Sequence, residues 1–353
     1  MKILLLGDYS SVHLNLKEAL EKLGNNVLLI GTGDGFKEIP ADILFGHKKS
    51  KILDKILLRL KPFLYLKEFC DFDIVQLMTP YFLKINYFPT NLYYEFLKNN
   101  NKKIFMLAGG TDAYYWKYGP KKLKYGPFED ILKYDIKSIS YQSDKSFQFN
   151  KQFSYEVDGI IPILHELKVC YEPHPKLKPL IPIPINTEKI KFTENKPKKK
   201  LIIFHGLNRY GFKGTKYVEK AFNILRDKYP EDLELIIKGK LPLSDYLELM
   251  NKTNVVLDQT SSYSLGVNGL YALAKGKVVL GGAEPESLES MGVKETPVIN
   301  ILPDVDDIVQ KIENLLDNRS NIPSIGEKSR LFCEENHDYI KVAKKYIEIW
   351  NAC

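Results

Sequence analysis

The segment 254–286 constrains the fold of this chain more than any other. A short apolar run at 254–257 is typical of a buried parallel strand, and the polar residues 258–264 predict a loop after it. We expect a helix to open near Leu265, with Gly266 in its first turn, before the next strand. Free backbone N–H groups and the helix dipole would then meet the carboxyl end of a strand. The pattern therefore predicts a diphosphate-binding site in an α/β protein.

The length of the chain predicts two domains. At 353 residues and 44% apolar content, it can bury two cores, since one domain per ~150 residues is usual. No apolar run approaches the ~18–20 residues that a transmembrane helix requires. The apolar stretch at the N-terminus, MKILLLGDYSS, is too short for a signal peptide, so we predict a cytoplasmic protein.

Cysteine spacing and charge limit the possible partners. The four cysteines stand far apart without a CxxC pair, which indicates neither a zinc site nor a disulfide framework. The net charge of +7 comes mostly from lysine, with clusters at 47–51 and 196–200. Solvated loops explain most of it, but a basic surface could also attract anionic lipid headgroups or a pyrophosphate-linked lipid. Nucleic-acid binding is disfavoured because the clusters carry no interleaved aromatic residues.

The first half of the sequence alternates between strand and helix patterns. A strand at 2–6, a helix at 14–23 and a strand at 26–30 predict a βαβ start, and a helix-rich aromatic stretch follows at 52–69. The first loop, GDYSSVH, lacks the GxGxxG spacing of dinucleotide-binding turns, which disfavours a nicotinamide dehydrogenase. Further strands are predicted at 74–77, 103–107, 138–141 and 159–161.

A proline-rich stretch that ends in IPIPIN, followed by a lysine-rich segment, predicts a linker before a second α/β domain. That domain should contain strands at 201–204, 233–238 and 298–301, with helices ending near 228 and 251 and a last helix at 339–350. We predict three units: residues 1–186, residues 187–335, and a C-terminal helix at 336–353 that returns to the first domain.

These segments together resemble the GT-B glycosyltransferase fold over nearly the whole chain. The second half is similar to the retaining glycosyltransferases of family 4: HGLNRYGFKGT resembles their phosphate-binding loop, IPIPIN their entry into the second domain, and GLYALAKGKVVLGG their helix-to-strand signature. More narrowly, GDYSSVH, LDQTSSYS, VNGLYALAKGKVVLGGAEPE and PVINILP look like a branch found in bacterial surface-polysaccharide gene sets. The resemblance implies two Rossmann-like domains that face a central cleft, with a C-terminal helix packing back.

The resemblance also implies a donor site in the second domain. An arginine and a lysine that bind the nucleotide-sugar diphosphate correspond to Arg209 and Lys213, in the loop that follows Gly206. Fixed cations there would stabilise the charge that develops on the leaving diphosphate, although the two could also be solvated loop charges. Gly266 and Val267 would offer backbone N–H groups to the same diphosphate.

One departure from the family lies in the same region. Two glutamates of the family, near the donor sugar and on the ribose, correspond here to Tyr263 and Tyr271, and neither tyrosine can act as a carboxylate. Glu284 and Glu286 are candidates to replace them, with an acidic helix cap as the alternative.

Further polar residues follow strand ends in both domains. In the second, Asp258, Gln259 and Asn268 are suited to hydroxyls or base edges, or are caps. In the first, we expect the acceptor at His13, Gly110, Thr111 and Asp112, with Asp112 as a catalytic group that orients the donor or the acceptor hydroxyl. A cap or packing role is the alternative for Asp112 and for His13.

Metal dependence is disfavoured. Asp71-Phe72-Asp73 imitates a DxD signature, but it directly precedes a predicted strand, and no clustered His, Asp and Glu set indicates a divalent site. We expect no cofactor, with a nucleotide-diphosphate sugar as co-substrate.

The sequence therefore predicts a metal-independent transferase that moves a sugar from a nucleotide-diphosphate donor to a glycan or lipid-linked glycan acceptor in surface-glycan synthesis, with retention implied by the resemblance. It could associate peripherally with the inner face of the cytoplasmic membrane. Two alternatives stay open: a GT-B nucleotide-sugar epimerase or hydrolase, and a non-catalytic glycan- or partner-binding member. We expect Lys213→Ala to reduce turnover strongly and to leave the fold intact.

Overall fold

A computed structural model of the chain describes residues 1–45, 61–83, 89–110, 112–134 and 141–353. The N-terminal half forms a six-stranded parallel sheet in the order β3-β2-β1-β4-β5-β6. Its strands are β1 (Lys2–Leu6), β2 (Asn26–Gly31), β3 (Ile43–Leu44), β4 (Ile74–Leu77), β5 (Lys103–Ala108) and β6 (Gly159–Pro162). The helices of this half with defined bounds are α1 (Val12–Lys22), α2 (Thr90–Asn100), α3 (Ala113–Lys122), α4 (Phe128–Tyr134), α5 (Asp144–Glu156) and α6 (His165–Tyr171).

The C-terminal half forms a five-stranded parallel sheet in the order β11-β10-β9-β7-β8. Its strands are β7 (Leu201–Gly206), β8 (Leu233–Lys238), β9 (Val255–Leu257), β10 (Val278–Gly281) and β11 (Ile299–Asn300). The helices are α7 (Thr215–Lys228), α8 (Leu243–Lys252), α9 (Val267–Ala274), α10 (Pro285–Met291), α11 (Val305–Asp317), α12 (Ile322–Asn336) and α13 (Tyr339–Asn351).

The central strands are apolar because helices cover both faces of each sheet. Ile3, Leu4, Leu5 and Leu6 of β1 are fully buried, and all residues of β9 and β10 are buried as well. β1 pairs in parallel register with both β2 and β4, so the chain order reverses beside β1. The predicted α/β class with two parallel sheets is confirmed.

Some sequence predictions need correction. The helix expected near Leu265 begins at Val267, and Gly266 precedes it as an extended residue (φ −81°, ψ 173°) because its N–H is bound by a side chain before the helix. The short strand β3 was not expected. The predicted strand at 138–141 lies outside the described residues except for Tyr141, which is not in a strand, and the lysine cluster at 47–51 and residues 52–60 also lie outside them. The exact domain boundaries stay a prediction.

The C-terminal helix returns to the first domain, as predicted. α13 packs against α1, and its Trp350 is fully buried against the first sheet. The indole Nε1 of Trp350 donates a hydrogen bond to Gln76 Oε1 in β4 at 3.2 Å. Lys103 Nζ in β5 donates to the backbone carbonyl of Trp350 at 3.1 Å. The last turn of the chain is therefore part of the first core.

We predict that Trp350→Ala lowers the free energy of unfolding by about 3–5 kcal/mol, because it leaves a cavity in the first core and removes the donor from the buried Gln76. Urea denaturation measures the change. Lys344→Ala, at an exposed position of the same helix, is the control and should change the stability by no more than ~0.5 kcal/mol. Equal stabilities of the two variants would contradict the proposed anchoring.

Candidate functional site

The crevice of the second sheet lies where the strand order reverses, between β7 and β9. These strands pair in register, with His205 opposite Leu257. Their carboxyl ends lead into two loops, 207–214 before α7 and 258–266 before α9. In open α/β sheets, such a reversal opens a crevice that binds ligands.

Lys213 and Asp258 connect the two loops at this crevice. Lys213 Nζ lies 2.9 Å from Asp258 Oδ1, and the Asp258 side chain is fully buried, while 13% of the Lys213 side chain is exposed. Burial alone would raise the pKa of Asp258. The positive charge and hydrogen bond of Lys213, with the donors from Gly266 and Asn268, hold this pKa below its usual value. Asp258 is therefore an anion at neutral pH.

The same carboxylate defines the start of α9. Gly266 N–H donates to Asp258 Oδ2 at 2.9 Å, and Asn268 Nδ2 lies 3.4 Å from Oδ1. Asp258 thus occupies part of the helix N-terminus that the sequence assigns to a diphosphate. The next residue of the expected set, Val267, is the first residue of the helix.

Three further residues of the expected donor set surround the start of α9. Tyr246 donates its hydroxyl to Asn268 Oδ1 at 2.6 Å and packs 6.1 Å from the half-buried Tyr271 ring. A Cβ on Gly206 would lie 3.7 Å from Asn268 Nδ2, so the end of β7 directly borders this amide. Gln259 is buried and donates to the Ser264 carbonyl at 3.0 Å, within its own loop.

His205 supports the crevice from below. Its Nδ1 lies 2.9 Å from the Leu257 carbonyl oxygen and its Nε2 lies 2.9 Å from Thr215 Oγ1. Burial, with the positive charge of Lys213, lowers the pKa of His205 to about 4. The neutral ring connects β7, β9 and the start of α7, which holds the two loops at a fixed separation.

Arg209 lies on the loop that carries Lys213. Its guanidinium carbon is 5.0 Å from the centroid of the Phe212 ring, and the side chain is half-buried. Burial raises the pKa of Tyr141 in the first domain, and the positive charge of Arg209 opposes this rise. Arg209 of the second domain therefore lies near enough to the first domain to influence Tyr141 electrostatically.

The first domain places Asp112 at the N-cap of α3. Asp112 Oδ1 accepts from Tyr115 N–H at 2.9 Å, and Oδ2 accepts from the Tyr171 hydroxyl at 2.6 Å. The carboxylate is buried, and burial raises its pKa despite these donors. Gly110 precedes it with φ +72°, a conformation that favours glycine, and Thr111 lies outside the described residues. Both oxygens of Asp112 thus have structural partners.

His13 is the second residue of α1 and is fully buried. Its Nδ1 lies 2.6 Å from the Gly7 carbonyl oxygen, and burial lowers its pKa to about 4. The backbone N–H groups of His13 and Leu14 donate to the Asp8 carboxylate, and burial raises the pKa of Asp8 to about 7. His13 therefore lies beneath the first loop, where its ring contacts the Gly7 carbonyl.

The two domains meet through residues that the sequence analysis did not identify. The buried Glu166 of α6 accepts hydrogen bonds from the hydroxyls of Ser262 and Ser264 in the 258–266 loop. His165 Nδ1 lies 2.7 Å from Ser290 Oγ of α10. A His-Glu pair directly after a buried strand was the available signal, but a single sequence does not reveal which loop it meets.

Tyr263 lies inside this domain interface. Its ring stacks between Tyr125, at 4.9 Å, and His165, at 5.5 Å between ring centroids. Its hydroxyl accepts the Lys124 N–H at 2.7 Å. The residue that stands where the resemblance implies a glutamate therefore contacts three residues of the first domain.

Glu284 and Glu286 lie at the carboxyl end of β10, on the expected edge. Glu284 is the N-cap residue of α10 and accepts from Asn300 Nδ2 at 2.5 Å. Glu286 lies 2.6 Å from Lys124 Nζ of the first domain, and the hydrogen bond from Lys124 lowers its pKa. Both carboxylates are engaged by protein donors.

The DxD-like residues lie at the amino end of the central strand β4 of the first sheet. Asp73 accepts from Lys2 N–H at 2.8 Å and pairs with Lys102 Nζ at 2.7 Å, just before β4 begins. Among the described residues, no three His, Cys, Asp or Glu side chains cluster as a metal site. Within the same ranges, no helix is long and apolar enough to cross a membrane.

No family model matches the chain, and no curated protein matches it. Among solved structures, HepE of Anabaena in complex with UDP-glucose superposes with a TM-score of 0.63 at 12% identity, covering 100% of both chains. Sucrose-phosphate synthase of Thermosynechococcus elongatus gives 0.65 at 11%, covering 100% of this chain and 98% of the other. UDP-GlcNAc 2-epimerase of Neisseria meningitidis, bound to UDP-GlcNAc, gives 0.52 at 13%, covering 99% of each.

These similarities extend over the whole chain and confirm the predicted GT-B fold, with two Rossmann-like domains around a central cleft. At identities of 11–13% they establish the fold alone. The roles of the individual site residues stay a prediction.

The Lys213–Asp258 pair changes one expectation from the sequence. We predict that Lys213→Ala destabilises the protein by about 3–5 kcal/mol, because it leaves a buried carboxylate without its cation. The double variant Lys213→Ala/Asp258→Asn should recover much of this loss, because the buried charge is removed with its partner. Thermal and urea unfolding measure both. A single variant as stable as the unmodified protein would contradict this charge pairing.

Proposed function

We propose that the protein is a glycosyltransferase that binds a nucleotide-diphosphate sugar between its two domains and transfers the sugar to a glycan. One observation carries this proposal: Lys213 and Arg209 share a loop at the strand reversal of the second sheet, beside the N-terminus of α9. Cations and a helix N-terminus at a strand reversal are the arrangement that binds phosphates in α/β proteins.

The chemistry follows from the leaving group. In glycosyl transfer, an acceptor hydroxyl forms a bond to the anomeric carbon, the bond from that carbon to the diphosphate oxygen breaks, and the acceptor proton passes to solvent or to the leaving phosphate. Lys213 has three N–H donors, and Asp258 uses one of them, so the others can reach a phosphate. Arg209 would add a second cation. Both would stabilise the negative charge of the departing diphosphate, a task that a bound metal ion performs in metal-dependent transferases.

Asp258 orients Lys213 in this scheme and limits its motion. A fully buried carboxylate that holds the ammonium in one position reduces the entropy lost when the donor binds. Retention of configuration and independence of metal ions, which the sequence resemblance implies, belong to the proposal.

The nature of the nucleotide has indirect support. HepE was solved with UDP and glucose and with UDP-glucose, and the epimerase with UDP-GlcNAc. Since these proteins share the fold of this chain, a UDP-sugar is the first donor to test. The hydrogen bond from Tyr246 to Asn268 fixes an amide beside Gly206, where a base or ribose could bind.

An exposed apolar surface lies on the first domain, and we assign it to the acceptor side. Leu64 is 83% exposed and Leu92, in α2, is 71% exposed. The ring contact of Phe63 with Tyr93, at 5.8 Å, places the two segments together. Exposed apolar side chains on two adjoining segments fit the interfacial region of a membrane, so we propose a lipid-linked acceptor and activity at the cytoplasmic face of a membrane.

Nucleotide binding tests the donor site. We expect calorimetry against UDP, GDP, CMP and dTDP and their sugars to detect selective binding of one nucleotide. Arg209→Ala should weaken that binding roughly tenfold or more, since a hydrogen bond to a charged group contributes about 1.5–3 kcal/mol. Arg226→Ala, an exposed arginine on α7, is the matched control. No binding across the panel would contradict the proposal and favour a non-catalytic glycan- or partner-binding protein.

Membrane association makes a separate prediction. Leu64→Ser/Leu92→Ser should reduce co-sedimentation with vesicles that contain anionic phospholipid, because it removes two exposed apolar side chains from one surface. Leu331→Ser, at a leucine that is 55% exposed on α12, is the control and should sediment as the unmodified protein does. Equal sedimentation of all three proteins would rule out this surface as the docking site.

An epimerase is the second candidate, because the UDP-GlcNAc 2-epimerase of Neisseria meningitidis shares the fold. Incubation with the nucleotide sugar alone separates the two functions. A sugar isomer formed without an acceptor would identify an epimerase. An unchanged donor that reacts only when a glycan is added would support the transferase.

A further inference from the structure

A groove runs along the seam between the two domains, beside the 207–214 loop. Its volume is about 520 Å³, within the range of ligand sites for small molecules. One wall comes from α4 of the first domain and the other from α7 of the second, with Tyr210 of the loop between them. The side chains that characterise the groove are those of Lys133, Tyr134, Tyr210, Lys216, Tyr217 and Lys220.

Direct contacts hold the two walls together. Lys216 Nζ lies 2.6 Å from Asp130 Oδ1 across the seam. The Tyr134 ring meets Tyr210 edge-on, with centroids 4.8 Å apart. Gly211 lies so close to the Asp130 backbone that it has no room for a Cβ. The groove therefore exists only when the domains are in this arrangement.

The chemistry of the walls is cationic and aromatic. The described lining residues include three lysines and one carboxylate, Glu219, which already accepts the Tyr210 hydroxyl. Lys216 forms an ion pair with Asp130, whereas the side chains of Lys133 and Lys220 are exposed. The described lining contains three tyrosines and no aliphatic side chain, so it offers little to an acyl chain. Such a wall suits an anion that also carries a flat C–H face.

We propose that this groove binds an acidic sugar of a glycan, with the sugar carboxylate on the lysines and the pyranose ring against the tyrosines. The inference rests on the proposed function in one respect: the bound glycan is the acceptor only if the protein is a glycosyltransferase. Tyr210 stands between Arg209 and Lys213, so a glycan here would lie beside the diphosphate loop. Because the ligand would contact both domains, its binding would favour the closed arrangement.

Calorimetry with digalacturonate as the probe tests this site, with its methyl ester as the neutral analogue. We expect the acid to bind at least tenfold more tightly than the ester, and to bind more weakly as salt is raised. Lys133→Gln/Lys220→Gln should weaken binding of the acid about tenfold, which corresponds to about 1.4 kcal/mol. Lys328→Gln/Lys344→Gln removes the same charge from exposed positions of α12 and α13 and should bind as the unmodified protein does.

Nucleotide titration of the same samples separates the two proposals. Equal affinity for acid and ester, or equal affinity of the groove and control variants for the acid, would overturn the groove assignment whether or not a nucleotide binds. Selective acid binding that the groove variant loses, in a protein that binds no nucleotide, would support the groove and overturn the transferase. Displacement of digalacturonate by UDP alone would show that the groove is part of a nucleotide site and would also overturn the assignment.

Discussion

The candidate site depends on one buried negative charge. Asp258 is fully buried at the end of β9, and a charge in that position requires donors from several directions. Lys213 comes from the first loop of the second domain, Gly266 N–H from the start of α9, and Asn268 from its first turn. The carboxylate thereby joins three separate segments around one crevice and fixes the position of the Lys213 ammonium.

The second constraint is the interface that positions the domains. Glu166 is a buried carboxylate whose partners are serine hydroxyls of the opposite domain, and Tyr263 is enclosed by aromatic rings from that domain. These contacts act on the 258–266 loop, which also contains Asp258. Any movement that separates the domains would therefore expose the Glu166 side chain and the Tyr263 ring to solvent. The contact between the domains is thereby coupled to the conformation of the 258–266 loop. Trp350 adds a further contact between the C-terminal part of the chain and the first domain, because its hydrogen bond to Gln76 holds the last helix against the first sheet.

Much of the fold could be predicted from the sequence, because buried parallel strands are nearly continuous apolar runs with narrow bounds; β1 at Lys2–Leu6 and β4 at Ile74–Leu77 are examples. The start of α9 was misplaced because its position is set by the hydrogen bond that Gly266 N–H donates to the Asp258 side chain across the loop, and local helix propensity does not include this bond. The sequence correctly indicated that Arg209 and Lys213 lie on the same loop. It could not show that Lys213 forms an ion pair with Asp258, or that the Tyr171 hydroxyl of a distant helix donates a hydrogen bond to Asp112. Both contacts depend on tertiary neighbours.

The central claim is that the crevice around Lys213 and Asp258 binds the nucleotide diphosphate. Hydrogen–deuterium exchange, with and without the nucleotide that binds best, tests it most directly, since exchange reports which backbone segments a ligand orders. The account predicts slower exchange in residues 207–214 and 258–268, with little change at the amino ends of the strands. Binding that slows exchange elsewhere and leaves both loops unchanged would contradict it.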